Sequence, residues 1–99
     1  MRKSDLIKEI SLKTGIERLH TEAVTEAFMH CVKESISSNE SVFLRGFGTF
    51  MVKKRAPKLA RNISKGTFMS LPEHFVPAFK PSKEFSKKVR ARLGSGDKE

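Results

Sequence analysis

Twenty consecutive residues, Lys53 to Pro72, constrain this chain more than any other stretch. They read KKRAPKLARNISKGTFMSLP and hold six cations, Lys53, Lys54, Arg55, Lys58, Arg61 and Lys65, with no acid. Both ends have strand character, and Arg61-Asn62-Ile63-Ser64-Lys65-Gly66 has the composition of a turn. Legs of about nine residues would span roughly 30 Å at about 3.3 Å per residue. A hairpin of that length and charge cannot fold back onto the core of a 99-residue chain, so it must project as an arm. A cationic ribbon with one aliphatic residue, Ile63, near its tip is suited to gripping a polyanion. A solvated hairpin edge blunted by charge would also be basic. Edge protection, however, requires neither six cations nor the exclusion of every acid.

The charge is segregated. The first 40 residues hold six Lys+Arg and seven Asp+Glu, whereas residues 41–99 hold fourteen and four, for a formal net charge of +9 overall. The first part reads as a near-neutral scaffold and the second as the binding part. At 37% hydrophobic the chain can fold as one small domain, but its core is thin. With the arm set aside, about eighty residues remain, near the size at which oligomerisation aids stability.

No apolar run approaches the roughly 20 residues of a membrane span, and no apolar h-region marks a signal peptide. The single cysteine, Cys31, excludes an internal disulfide framework and suits a reducing cytoplasm. His20, His30 and His74 are scattered without zinc-ligand spacing. No nucleophile, base and orienter trio and no phosphate-loop motif occurs. The expectation is a protein that is not an enzyme, with no metal, cofactor, membrane or small-molecule substrate.

Taken in order, Ser4 is a candidate N-cap for a first helix, with Asp5 in its first turn and Gly15 as its stop. A second helix is expected from about Glu17 to Ser38. Val24, Ala27, Phe28, Cys31, Val32, Ser35 and Ile36 line one face of it. The first helix is too short to cover that stripe, which leaves part of it for a sheet or a second subunit. Ser41 to Arg45 reads as a strand, Gly46-Phe47-Gly48 as a tight reversal, and Thr49 to Lys53 as the start of the next strand. Phe47 and Phe50 are large core anchors. Phe75 to Lys80 reads as an edge or interrupted strand because of Pro72 and Pro77. Ser82 caps a third helix running from Lys83 to about Arg92, with Phe85 and Val89 as its docking face and the rest strongly basic. The domain is read as 1–93, with the arm at 53–72 and a flexible tail at 94–99.

Three groups of residues together resemble the bacterial HU and integration host factor DNA-bending proteins. They are Gly46-Phe47-Gly48-Thr49-Phe50, then Arg61-Asn62 at the arm tip, then Val76-Pro77-Ala78-Phe79-Lys80-Pro81-Ser82-Lys83. The order and spacing agree from about Met1 to Val89 without a gap. The resemblance implies an α+β fold. A helical hairpin base would carry a three-stranded antiparallel sheet, a long protruding β-ribbon arm and a short C-terminal helix, and two copies would intertwine as a dimer. It also implies an architectural, histone-like role in which the arms bind duplex DNA through the minor groove and bend it, largely independent of sequence. Bent, nicked or flexible duplex would be preferred, the partner subunit would be a second copy or a paralogue, and the location would be the cytoplasmic nucleoid.

The residues implied for DNA contact are Lys53, Lys54, Arg55, Lys58, Arg61, Asn62, Ile63 and Lys65 in the arm, and Arg2, Lys3, Arg45, Lys80, Ser82, Lys83 and Lys87 in the body. Arg2, Lys3 and Ser4, and likewise Ser82 and Lys83, would offer phosphate sites at helix N-termini. Phe28, Phe47, Phe50 and Phe79 are implied for the core and dimer interface; Phe43 and Phe75 are candidates for exposure. Three departures stand out. Ile63 replaces the family's usual tip proline, and Phe68 stands where relatives are often acidic. Arg45 matches an arginine that reaches the minor groove in some sequence-selective relatives, and would serve equally as a phosphate contact. Three alternatives to a sequence-independent bender are a sequence-selective bender like integration host factor, an RNA-binding accessory protein, and a basic module that docks an acidic protein surface.

Overall fold

The computed structural model describes the backbone of residues 1–62 and 67–94, and the side chains of residues 1–57 and 72–94. The chain divides into two compact units that part within the second helix, after Ser35.

The first unit holds α1 (Lys3–Thr14) and most of α2 (Arg18–Ser37). Arg2, not Ser4, is the N-cap of α1. The Asp5 carboxylate accepts the Arg2 backbone N–H at 2.9 Å, satisfying that donor from three residues downstream and starting the helix two residues earlier than a Ser4 cap would. Gly15 ends α1 with φ 76°, and its N–H donates to the Ser11 carbonyl at 2.9 Å. Side chains tie the connection to both helices. Ser11 Oγ donates to the Ile16 carbonyl at 2.6 Å, and Thr21 Oγ1 donates to the Glu17 carbonyl at 3.0 Å.

The stripe expected on α2 is covered along one edge only. Thr21 is buried, and Thr25, Met29, Val32, Ser35 and Ile36 are half-buried, whereas Val24, Ala27, Phe28 and Cys31 are exposed. The reading of Phe28 and Cys31 as core-facing therefore does not hold within one chain, since one short helix shields only a narrow strip of a 20-residue partner.

The second unit is built on β1 (Val42–Leu44), β2 (Gly48–Arg55) and β5 (His74–Pro81), in the order β1-β2-β5 and antiparallel throughout. The β1–β2 turn is closed by the Phe47 N–H donating to the Leu44 carbonyl at 2.9 Å, with Gly46 at φ 79° supplying the left-handed position. β5 is an edge strand, as its prolines require, but Pro77 does not interrupt it; it sits opposite Val52 inside a continuous ladder. The break comes one step further out. β3 (Lys58–Asn62) and β4 (Thr67–Leu71) form a separate two-stranded sheet. The last pair of the main sheet is Arg55↔His74 and the first of the ribbon is Lys58↔Leu71, so Pro57 falls opposite Pro72. Neither proline has an N–H to give to a ladder. Register is nevertheless conserved across the gap out to Asn62↔Thr67. From Arg55 to Asn62 the ribbon extends about 23 Å at about 3.3 Å per residue. Arg61 and Asn62, read as part of the turn, are ladder residues; Ile63, Ser64, Lys65 and Gly66 lie outside the described residues, as does the tail beyond Gly94.

The core of this unit is aromatic. Phe50 and Phe79 are directly opposed on β2 and β5 with ring centroids 4.8 Å apart, and Phe47 lies 5.2 Å from Phe79. α3 (Lys83–Leu93) adds Phe85, stacked on Phe47 at 5.4 Å. Ser82 caps α3 by accepting the Phe85 N–H at 3.1 Å, while its own N–H donates to the Phe47 carbonyl at 2.9 Å. The helix start, the glycine turn and the aromatic cluster are thus fastened at one point. Yet the cluster is not closed. Phe47 is 45% and Phe79 37% exposed, and a groove lined by Phe79, Pro81, Phe85 and Val89 opens beside them.

Candidate nucleic-acid interface

Period-2 alternation gives the sheet two unlike faces. Direct cross-strand pairs put Val42, Leu44, Phe50, Val52, Phe75 and Phe79 on one face. The other carries Phe43, Thr49, Met51, Lys53, Arg55, His74, Val76, Ala78 and Lys80. Its cations Lys53, Arg55 and Lys80 are all exposed, and no acid lies among these positions. The ladder register of this sheet continues through the Pro57/Pro72 break into the ribbon that holds Lys58, Arg61 and Asn62. The side chains of those three residues lie outside the described set, and so do Ile63 and Lys65 altogether.

Lys54 differs from its neighbours. It projects from the aromatic side of the sheet, and its Nζ lies 2.8 Å from an Oε of Glu73, the acid just past the basic stretch. The proposed helix-end sites are also partly occupied from within the chain. Lys3 forms an ion pair with Glu26 of α2, and that hydrogen bond, supported by the charges of Glu26 and Glu22, raises the Lys3 pKa above its usual value. Lys3 is accordingly protonated throughout the neutral range. Asp5 already accepts the Arg2 N–H, and Glu84 stands in the first turn of α3 beside the Ser82 cap. A phosphate arriving at either helix start therefore competes with a carboxylate. Arg45 is exposed in the β1–β2 turn, and Lys83 and Lys87 are exposed on α3. The acidic partners Glu26 and Glu73 were not identifiable in advance, because each lies 19 or more positions from its lysine.

Among the described residues there is no group of three or more His, Cys, Asp or Glu placed to hold a metal ion, and no helix is long and apolar enough to cross a membrane.

A family model described as "Bacterial DNA-binding protein" matches residues 1–90. The DNA-binding protein HU 2 from the SPbeta prophage of Bacillus subtilis is 34% identical over 92 residues, covering 93% of this chain and all of that relative. The chain belongs to the HU and integration host factor family of bacterial DNA-binding proteins. The integration host factor subunit beta of Hahella chejuensis is likewise 34% identical, over 97% of this chain and 99% of that protein. An HU–DNA cocrystal structure from Anabaena superposes with a TM-score of 0.86 at 32% identity, covering 90% of this chain and 97% of that one. Three helices and a three-stranded antiparallel sheet make this the α+β fold of HU proteins.

Proposed function

We propose that two copies of this chain form an architectural DNA-binding dimer whose ribbon arms enter the minor groove and bend the duplex, largely without regard to sequence. The observation that carries this reading is the acid-free cationic sheet face, from which two strands continue in one register into the arm. The Anabaena relative, solved with DNA, supports a duplex as the polyanion. Lys53, Arg55, Lys80, Lys83 and Lys87 would hold phosphates of the body and arm root. Lys58, Arg61, Asn62 and Lys65 would hold the arm in the groove, and Ile63 would serve as its apolar wedge. Lys54 and Lys3 would contribute less, each having a carboxylate to leave first. On this reading residues 1–93 act as one DNA-binding domain working on the nucleoid in the cytoplasm.

What one chain leaves uncovered supports the dimer. Ile7 is the only hydrophobic side chain fully in the core among the described residues, while Val24, Phe28, Phe47 and Phe79 are 68%, 47%, 45% and 37% exposed. At about 25 cal/mol per Å² of apolar surface, shielding four such side chains offers several kcal/mol that a lone chain forgoes. The partner is a second copy or a paralogue, the latter suggested by relatives named as subunits of integration host factor. Light scattering at micromolar concentration should give twice the 11.2 kDa chain mass; a folded species at the chain mass would overturn the dimer.

Sequence-selective bending is a second reading, favoured by the exposed turn residue Arg45 alone. Gel-shift competition separates the readings, since duplexes of unrelated sequence should compete equally under the first and unequally under the second. Nicked or kinked duplex should compete best, intact linear duplex less well, and single-stranded RNA or an acidic protein poorly. Preferential capture of RNA would reject the proposal.

A further inference from the structure

Phe43 has no place in the reading so far. It is 72% exposed, while its neighbours on β1, Val42 and Leu44, are half-buried on the aromatic face. A lone exposed phenylalanine is ordinary, but the position of this one is specific. Phe43 pairs with Thr49, and Thr49 pairs with Lys80, so the three form one row across the sheet. Strands lie about 4.8 Å apart, which sets Phe43 and Lys80 about 10 Å from each other on a common face. Lys53 and Arg55 occupy that face further along β2, and no acid shares it. A polyanion drawn down by these cations would therefore meet the ring of Phe43.

We propose that Phe43 is an additional DNA-contact residue, packing its ring on the deoxyribose of duplex DNA held against the cationic sheet face. The proposal rests on the DNA-binding reading above. Charge selects the occupant. A duplex presents both phosphates, repeating at the spacing of a cationic row, for Lys53, Arg55 and Lys80, and apolar sugar carbons for the ring. The contact is apolar and releases no counterion. It adds affinity without adding to the salt slope, which scales with phosphates neutralised.

That difference makes the inference testable. Phe43→Ser and Phe43→Leu are prepared in the full chain, and affinity for a linear duplex is measured from 50 to 200 mM salt. Phe43→Ser should weaken binding about 5- to 20-fold at every salt concentration, on the scale of losing most of a buried aromatic side chain. Its slope of log affinity against log salt should match the parent's. Phe43→Leu should recover most of the loss, because much of the apolar area returns. With a parent that binds DNA, unchanged affinity of Phe43→Ser overturns this inference alone, as does a fall in its slope. Dissociation of the Phe43→Ser dimer in light scattering would assign Phe43 to the subunit contact and also overturn it. A parent that fails to bind duplex overturns both this inference and the functional reading beneath it.

Discussion

Raising the salt from 50 to 200 mM should weaken duplex binding by about 10³- to 10⁵-fold, the response expected when six to ten phosphates are neutralised. The proposed dimer would bring twelve arm cations, six from each chain, before the body is counted. Not all of them should count equally. Lys53 and Arg55 stand on the acid-free face, so alanine at either should lower the slope by about 0.9 for each phosphate that it leaves unneutralised. Lys54 must first leave Glu73, and an exposed pair of that kind is worth little in itself. Lys54→Ala should therefore change the slope less than Lys53→Ala does. Isothermal titration or fluorescence anisotropy across the salt series checks both statements. A flat response would mean that apolar surface, and not phosphate contact, carries the binding.

Gly48→Ala should cost about 3 kcal/mol or more of stability. A Cβ on Gly48 would lie 2.5 Å from Cζ of Phe79 and 2.6 Å from the carbonyl oxygen of Lys80. The oxygen belongs to the β2–β5 ladder, and the ring is fixed between Phe47 and Phe50. Neither can yield without separating the strands or opening the aromatic cluster, and overpacking of that kind is costly. Gly46→Ala is the comparison. Its Cβ would meet only the end of the Glu84 side chain, at 3.0 Å, and the remaining cost is that of φ 79° for a residue with a Cβ, about 1–2 kcal/mol. Urea unfolding of the two variants at one protein concentration should rank them in that order. A Gly48→Ala protein as stable as the parent would show that the β2–β5 approach is not as tight as described.

Features set by neighbouring residues were legible in the sequence. Gly15, the Gly46-Phe47-Gly48 turn and the Ser82 cap each act within a few positions, and each appears where the local chemistry placed it. The Ser4 cap was misread because Asp5 offers its carboxylate to Arg2, a competition between two plausible caps that composition does not rank. Long-range partners were hidden for a different reason. Glu26 and Glu73 meet their lysines only after two helices or two strands have folded together. Pro72 was legible as a strand breaker, but its opposition to Pro57 depends on the ladder register. The α2 stripe showed that apolar surface was in excess; which edge of it one chain covers is decided by how little α1 can shield.

The central claim is that the arms bend DNA and do not merely clasp it. Ile63 follows Asn62 of the last described ladder pair in the sequence, and on the proposed reading it would be the wedge. Unstacking a base step costs about a few kcal/mol, offset by the contacts that a bent duplex allows. The most direct measurement is fluorescence energy transfer across an end-labelled duplex, with binding followed in parallel. At saturation the parent should bring the labelled ends together and raise the transfer. Ile63→Ala should bend less while retaining most of the salt-sensitive affinity. A parent that saturates the duplex without changing the end-to-end transfer would contradict the account, leaving the arms as an electrostatic clasp.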